Sequence, residues 1–157
     1  MTRAAPAERL RAVLEDARLI HVDGRVIALH LLGESRLGPL AARVMGSLKD
    51  GSVRGQTSAL SLYQILAEVY RRGRADLADR VARGLEVHRG LRLVPATPEI
   101  AVQAAQVRAQ LGGRPERAIQ IATALAGGAD VYVTTESGIR RIVGMTVVNL
   151  DDFLDAA

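Results

Sequence analysis

Cysteine is absent from the 157-residue chain, and histidine occurs only three times. The lack of cysteine excludes a disulfide scaffold, a thiolate zinc site and a cysteine nucleophile. The three histidines (His21, His30 and His88) are widely spaced, which disfavours a histidine-rich metal site. Neither a disulfide-stabilised fold nor a zinc site of these kinds is therefore expected.

Long apolar segments are also missing. No stretch approaches the ~20 unbroken apolar residues of a membrane span. The N-terminal segment MTRAAPAERLRAVLEDARL carries charges throughout and lacks the apolar stretch of a signal peptide. Hydrophobic residues make up 48% of the chain and charged residues 24%, which is typical of a globular protein. We therefore expect one globular domain in the cytoplasm, with no membrane partner.

Aromatic residues and lysine are scarce. Three tyrosines, one phenylalanine and no tryptophan disfavour an aromatic platform for stacking single-stranded bases. Lys49 is the one lysine, so 20 of the 21 basic residues are arginines, and the formal net charge is +4. Arginine suits phosphate because its planar guanidinium bonds two oxygens at once. A coding bias towards arginine explains the same composition equally well.

The basic residues are unevenly distributed. Between positions 71 and 92 the chain has seven arginines against three acidic residues, which equals the excess of the whole sequence. The arginines are Arg71, Arg72, Arg74, Arg80, Arg83, Arg89 and Arg92. This segment is interpreted either as a basic helix pair that binds nucleic acid or as a solvated face.

Five short apolar segments alternate with segments of helical periodicity. The predicted strands are Leu19–Val22, Val53–Thr57, Leu91–Val94, Asp130–Thr134 and Thr146–Leu150. Strands separated by helices predict a three-layer α/β/α fold with a mainly parallel sheet of about five strands. A further helix precedes the first strand. We expect an N-terminal helical extension over residues 1–17 and a main domain over 18–157.

Three of the predicted strands are followed by a carboxylate. Asp23, Glu136 and Asp151 therefore gather at the carboxyl edge of the sheet, where α/β folds place their functional groups. Clustered carboxylates repel unless a cation lies among them, so Mg²⁺ acting on a phosphodiester through bound water is one interpretation. The alternative is that each carboxylate caps the helix that follows it.

Four segments resemble the PIN domain, in particular the toxin-type (VapC-like) ribonucleases of bacterial toxin–antitoxin pairs. They are IHVDGRVIALHLLG, TSALSLYQIL, LRLVPATPEIA and RAIQIATALAGGADVYVTT, in the order and spacing of the family, and the resemblance covers Leu19 to Phe153. It implies that the 18–157 domain is PIN-like. It also implies a ribonuclease whose three or four carboxylates hold Mg²⁺ or Mn²⁺.

The resemblance places the four expected carboxylates at positions that are only half acidic here. Asp23 is present, and Glu136 replaces the final aspartate with a longer arm. Gln64 stands at the glutamate position, and Arg117 stands at the third aspartate and reverses its charge. Gly24 and Arg25 replace the small polar residues that follow the first aspartate. We therefore expect Asp23 and Glu136 to bind Mg²⁺ or Mn²⁺ weakly or not at all.

Two arrangements of this pocket are considered. In the first, the Arg117 guanidinium takes the place of the metal between Asp23 and Glu136 in an ion cluster. In the second, Glu68 and Glu116 are recruited to a displaced metal site. The displaced site requires a shift of about one helical turn, roughly 5.4 Å, because Glu68 lies one turn beyond Gln64.

Three functional hypotheses follow. The first is a PIN-like protein with impaired or lost catalysis that binds nucleic acid or a protein. The second is an active Mg²⁺- or Mn²⁺-dependent endoribonuclease toxin with a shifted acidic site. The third is a structural partner unrelated to nucleic acid. Candidate nucleic-acid ligands are Arg25, Arg71, Arg72, Arg74, Thr134 and Thr135. The resemblance also implies a homodimer and an antitoxin-like protein partner.

Overall fold

The computed structural model describes residues 5–154, which form five strands, seven α-helices and two short 3₁₀ helices. The strands are β1 (Ile20–Val22), β2 (Gly55–Ser58), β3 (Leu91–Val94), β4 (Val131–Thr134) and β5 (Thr146–Asn149). The α-helices are α1 (Pro6–Glu15), α2 (Gly24–Leu31), α3 (Gly38–Lys49), α4 (Ala59–Arg71), α5 (Ala78–Glu86), α6 (Pro98–Leu111) and α7 (Pro115–Ala126). The 3₁₀ helices are Ala75–Leu77 and Leu150–Phe153.

The strands form one parallel sheet in the order β3-β2-β1-β4-β5. At its centre, Ile20 of β1 pairs with Gly55 of β2 on one side and with Val131 of β4 on the other. All five strands end at the same edge because they run in the same direction. The α2 and α4 helices begin directly after β1 and β2, at this edge.

Helices cover both faces of the sheet, and each face has its own apolar core. Val131 and Val133 of β4 pack into the core shared with helices α1 to α5. Tyr132, which points the other way, packs with residues of α6 and α7. This alternation along a buried strand is the side-chain period of two. The expected three-layer α/β/α fold with a five-stranded parallel sheet is confirmed.

Local signals at the helix starts are also seen in the structure. The Ser58 side chain accepts the Leu60 N–H at the start of α4, and the Thr97 side chain accepts the Ile100 N–H at the start of α6. Each hydroxyl satisfies a backbone donor that has no partner within the helix. These caps direct the chain from the strand edge into the covering helices.

The α1 helix shares the main core. Leu10 and Leu14 are fully buried against it, and the Arg9 guanidinium lies 5.5 Å from the Phe153 ring centre. The division into residues 1–17 and 18–157 stays a prediction, and its outermost residues, 1–4 and 155–157, lie outside the described part. Within residues 5–154, no helix combines the length and apolar character that crossing a bilayer requires.

Candidate functional site

Asp23 stands at the end of β1 and is buried. Its carboxylate accepts the Arg25 N–H at 3.2 Å, which caps α2, and the Thr134 hydroxyl at 3.2 Å. Burial raises the pKa of Asp23 to about 7, and the negative charge of Glu136 adds to the shift. The Thr134 hydrogen bond and the charges of Arg114 and Arg117 oppose this shift. Asp23 is thus a shielded carboxyl group that exchanges its proton near neutral pH.

Glu136 follows β4 and is surrounded by positive charge. Arg117 Nε donates to Oε2 at 2.7 Å, and Arg114 Nη2 donates to Oε1 at 3.1 Å. The Arg25 guanidinium approaches Oε1 at 3.7 Å. The Glu136 side chain is only 8% exposed, so these pairs are partly shielded from solvent. Both carboxylate oxygens are therefore already occupied by guanidinium groups.

The expected Asp23–Arg117–Glu136 cluster forms only in part. Arg117 pairs with Glu136, but no ion pair of 4 Å or less joins Asp23 to an arginine in the described residues. The expectation of a guanidinium lying between the two acids is therefore wrong for Asp23. The physical reason is that Asp23 is buried at the start of α2, where each of its oxygens accepts a hydrogen bond from a neighbouring hydroxyl or backbone N–H instead of from a guanidinium.

Two glycines make room for the Arg117 side chain. A methyl group at Gly113 would lie 2.7 Å from Arg117 Nη1, and one at Gly138 would lie 3.1 Å from Arg117 Nη2. Both distances are shorter than normal van der Waals contact. The guanidinium thus lies in a slot between two backbone segments that lack side chains, which fixes it against Glu136.

Gln64 belongs to a neutral hydrogen-bond network. Its Oε1 accepts the Gln120 amide at 3.1 Å, and the same Gln120 amide donates to Ser61 Oγ at 2.8 Å. Gln120 Oε1 lies 2.7 Å from His21 Nε2, and burial lowers the pKa of His21 to about 4. Because the Gln120 amide nitrogen donates elsewhere, its oxygen accepts the His21 N–H. The site therefore holds an uncharged network where the resemblance implied a carboxylate.

A cleft of about 540 Å³ lies beside this site, and Asp23, Arg117 and Glu136 are not part of its lining. It is lined by four arginines and four acidic residues, together with Tyr63, Gln64 and Thr135. The charged residues are Arg25, Arg36, Arg72, Arg114, Glu34, Glu68, Glu116 and Asp151. Asp151 pairs with Arg36, so the third strand-end carboxylate does not join Asp23 and Glu136.

The two carboxylates considered for a displaced metal site, Glu68 and Glu116, both line the cleft. Glu68 is engaged by Arg71 and Arg72, whose hydrogen bonds lower its pKa to about 2. Glu116 lines the cleft in the first turn of α7. Within residues 5–154, no three acidic or histidine side chains come together in a group that could hold a metal ion.

The predicted nucleic-acid ligands are dispersed. Arg25, Arg72 and Thr135 line the cleft, whereas Arg71 and Arg74 do not. Arg71 pairs with Glu68, and Arg74 pairs with Asp76. Thr134 is buried, and its hydroxyl donates to Asp23 and accepts the Glu136 N–H. The role of these six residues in binding nucleic acid stays a prediction.

The donor set does not fit a divalent metal. Mg²⁺ requires several hard, negatively charged or neutral oxygens in near-octahedral geometry. Here the Glu136 oxygens accept guanidinium N–H groups, the Gln64 oxygen accepts an amide, and Asp23 is enclosed at the start of α2. A cation at this position would also meet the positive charge of Arg117. The residues present thus favour an anion beside the arginines over a metal ion between the acids.

Three residues that shape the site carry no clear sequence signal. Arg114 lies in a Gly-Gly-Arg-Pro turn, and nothing in that pattern indicates a contact with Glu136. Gln120 belongs to an apolar helical segment, where an amide has no preferred partner. Tyr63 is detectable in retrospect because it lies two residues from the buried Ser61 and Ile65, on the opposite face of α4.

Comparison with known protein families matches residues 20–144 to the PIN domain. A toxin–antitoxin complex from Klebsiella pneumoniae has a similar fold, with a TM-score of 0.60, 13% identity, and coverage of 83% of this chain and 97% of that chain. VapBC2 from Rickettsia felis, bound to a DNA fragment from the promoter of these proteins, also has a similar fold. Its TM-score is 0.63, the identity is 12%, and the match covers 83% of this chain and 98% of that chain. A search of curated proteins found no match. The family match spans most of the chain, and we conclude that the chain belongs to the PIN domain family.

Proposed function

We propose that this protein is a PIN domain in which metal-dependent RNA cleavage has been lost, and that it acts as a binding module for nucleic acid. One observation carries this proposal: Glu136 is held by Arg117, Arg114 and Arg25 instead of facing the cleft as a free carboxylate. We propose that the protein acts in the cytoplasm and that Mg²⁺ and Mn²⁺ bind weakly or not at all.

Charge supports the loss of cleavage. The four carboxylates that the family resemblance implies would give the pocket a charge of about −4 if all were ionised. Asp23 and Glu136 together supply at most −2, Gln64 supplies none, and Arg117 brings the sum to −1. Coulomb attraction for a doubly charged cation falls accordingly. Nucleic-acid binding is favoured by the arginines, which remain positively charged at any physiological pH.

An RNA cleavage assay tests this proposal. We expect no Mg²⁺- or Mn²⁺-dependent cleavage of single-stranded RNA by the natural chain, compared with buffer containing EDTA. A Gln64→Glu, Arg117→Asp double variant restores the acidic positions and serves as the matched comparison. Metal-dependent cleavage by the natural chain that Asp23→Asn abolishes would show that catalysis survives.

The alternative is an active endoribonuclease with a displaced acidic site. Glu68 and Glu116 both line the cleft, which favours them as its ligands. Under this alternative, Glu68→Gln and Glu116→Gln each abolish metal-dependent cleavage, and Glu99→Gln outside the cleft lining does not. Under our proposal there is no cleavage to abolish, and all three variants match the natural chain.

A second surface favours a protein partner. An apolar groove of about 740 Å³ lies between α2, α3, α4 and α5. Leu31, Met45, Val81 and Leu85 contribute to its lining, and basic residues such as Arg80 are part of the same lining. This combination suits an amphipathic segment with acidic flanks, such as an antitoxin-like protein. The two similar solved structures are described as a toxin–antitoxin complex and as VapBC2 on promoter DNA.

Co-purification with the product of a neighbouring gene tests the protein partner. We expect a stable complex that Leu31→Glu disrupts, because Leu31 is exposed at the groove. Val102→Glu, on the exposed side of α6, is the matched control and is expected to leave the complex intact. Light scattering on the free protein tests the proposed homodimer. A complex that Leu31→Glu leaves as stable as Val102→Glu does would place the partner elsewhere.

A further inference from the structure

Arg25 and Arg114 have unused hydrogen-bonding capacity at the cleft. Each guanidinium makes a single approach to Glu136 Oε1, at 3.7 Å for Arg25 and 3.1 Å for Arg114. Their side chains are 41% and 55% exposed, and both line the cleft. A guanidinium has five N–H donors, so most of the donors on these two arginines are not used by Glu136.

Arg117 and Glu136 hold this pair of arginines in place. Arg117 is only 21% exposed and lies in the slot formed by Gly113 and Gly138. It binds one oxygen of Glu136 and leaves the other oxygen to Arg25 and Arg114. Glu136 is therefore a positioning residue that brings two guanidinium groups to one point. Arg25, Arg114 and Arg117 against Glu136 give a local charge of +2, which becomes +1 when the nearby Asp23 is ionised.

Three of the four acidic residues in the cleft lining have polar partners of their own. Glu34 accepts backbone N–H groups from Leu37 and Gly38 at the start of α3. Asp151 pairs with Arg36, and Glu68 pairs with Arg72. Glu116, the fourth acidic residue of the lining, forms no ion pair of 4 Å or less in residues 5–154. Arg25 and Arg114 therefore supply positive charge to a cleft that also holds one carboxylate without an ion pair.

Tyr63 adds an aromatic surface to the same cleft. It lies on α4 next to Gln64, lines the cleft and is 63% exposed. An exposed aromatic ring beside guanidinium groups offers a stacking surface for a base and donors for a phosphate. The cleft volume of about 540 Å³ is within the range of small-ligand sites.

We infer that Arg25 and Arg114, positioned by Glu136 and Arg117, bind one phosphate of a single-stranded RNA without a metal ion, and that Tyr63 stacks on an adjacent base. This inference deepens the proposed function and rests on it, since it names the nucleic-acid contact that replaces metal-mediated phosphate binding. Bidentate hydrogen bonds from arginine to phosphate oxygens supply the attraction.

Fluorescence anisotropy with a 5′-labelled oligouridylate in EDTA tests the arginine contact. We expect Arg114→Gln to weaken binding about fivefold or more. We also expect the negative slope of log K against log salt to decrease in magnitude by up to about 0.7, the value for the complete loss of one phosphate contact on a single strand. Arg108→Gln is the matched control, because Arg108 is exposed on α6 and does not line the cleft. Its affinity and salt slope are expected to match those of the natural chain.

A second pair of variants, Tyr63→Leu and its control Tyr70→Leu, tests the stacking contact. We expect Tyr63→Leu to weaken binding about fivefold or more with an unchanged salt slope, because stacking removes no phosphate contact. Tyr70→Leu, at an exposed tyrosine of the same helix outside the cleft lining, is expected to have no effect. Circular dichroism checks that all four variants are folded.

The outcomes separate this inference from the proposed function. RNA binding in EDTA that neither Arg114→Gln nor Tyr63→Leu weakens overturns the site but leaves nucleic-acid binding in place. RNA binding that is absent in EDTA and appears only when Mg²⁺ is added overturns the metal-free site. Cleavage of the probe after Mg²⁺ is added overturns the proposed loss of catalysis. No RNA binding at all overturns both the site and the binding role, while the absence of cleavage still stands.

Discussion

The ends of β1 and β4 are adjacent in the sheet and carry the two remaining carboxylates, yet their surroundings are opposite. Asp23 is enclosed, and its hydrogen-bond partners are a backbone N–H and a hydroxyl. Glu136 contacts three guanidinium groups, two of which extend into the cleft. One strand end is closed and uncharged in its contacts, and the other is open and strongly basic.

We propose that this difference turns a site that holds a cation in the family resemblance into a site for an anion. A metal ion must draw both acids together, and neither acid is available for that here. The protein instead meets the charge of Glu136 with its own arginines and pushes the pKa of Asp23 towards neutrality by burial. The excess positive charge then remains on the open side.

The largest effect on the free energy of unfolding is expected at Asp23, the enclosed carboxyl group at the end of β1. Asp23→Asn keeps the shape and the acceptor for the Arg25 N–H but removes the cost of burying a charge. The pKa of Asp23 is raised from an ordinary value near 4 to about 7 in the folded chain. The folded state therefore holds a proton that the unfolded state has lost between these pH values, and stability falls as pH rises through this window.

Urea denaturation of the natural chain and of Asp23→Asn tests whether stability falls as the pH rises. At pH 8 we expect Asp23→Asn to be more stable than the natural chain by up to about 4 kcal/mol, the equivalent of the full pKa shift. Below pH 4 the two proteins should be equally stable, because Asp23 is then protonated in both the folded and the unfolded state. A variant that is less stable at pH 8 would show that the charged carboxylate is favoured where it lies.

The next largest effect on the free energy of unfolding is expected at Glu136, which follows β4. Glu136→Gln leaves Arg25, Arg114 and Arg117 facing one another without a counter-charge. We expect a loss of about 3 kcal/mol in the free energy of unfolding, since removing the carboxylate leaves partly buried positive charges without a counter-charge. Asp152→Asn is the control, because it removes an exposed pair with Arg140 and should have no measurable effect on urea denaturation. Equal effects of both variants would contradict the special role of Glu136.

A smaller effect is expected where α2 meets α4, beside Asp23. A methyl group at Gly24 would lie 2.6 Å from Gln64 Oε1 and 2.9 Å from the Ser61 Cα atom. Because a backbone atom is involved, Gly24→Ala should cost about 2 kcal/mol through overpacking. Gly46→Ala, on α3 with no neighbour within 4 Å of the added methyl group, is the control and should not be destabilising. Thermal denaturation of the two variants tests whether α2 and α4 pack closely at Gly24.

The elements of the fold were predictable because local signals agree with the tertiary structure. Apolar runs bounded by turn residues marked the strands, and Ser58 and Thr97 marked helix starts that the structure retains. The order β3-β2-β1-β4-β5 was not predictable, because a strand's periodicity does not identify its neighbours. The amphipathic spacing of Leu77, Val81 and Leu85 predicts one helix over residues 74–88. The structure has a 3₁₀ helix, Ala75–Leu77, followed by α5 from Ala78 to Glu86.

The site was predictable only where a family motif assigns a position. The contact between Arg117 and Glu136 was expected, since two opposite charges occupy positions that the family brings together. Burial of Asp23 away from the guanidinium depends on how α2 starts against β4, and this packing has no signature in local sequence. The same holds for two other contacts. Arg114 bonds Glu136, which lies 22 residues away in the sequence, and Gln120 bonds His21, which lies 99 residues away.

The central claim is that the strand edge no longer accommodates a divalent cation, and titration calorimetry with Mg²⁺ and Mn²⁺ tests it most directly. The natural chain is compared with the Gln64→Glu, Arg117→Asp double variant, after circular dichroism has shown that both are folded. We predict no binding heat for the natural chain and measurable binding by the double variant, whose four positions are all acidic. Micromolar binding by the natural chain, weakened by Asp23→Asn, would contradict the account.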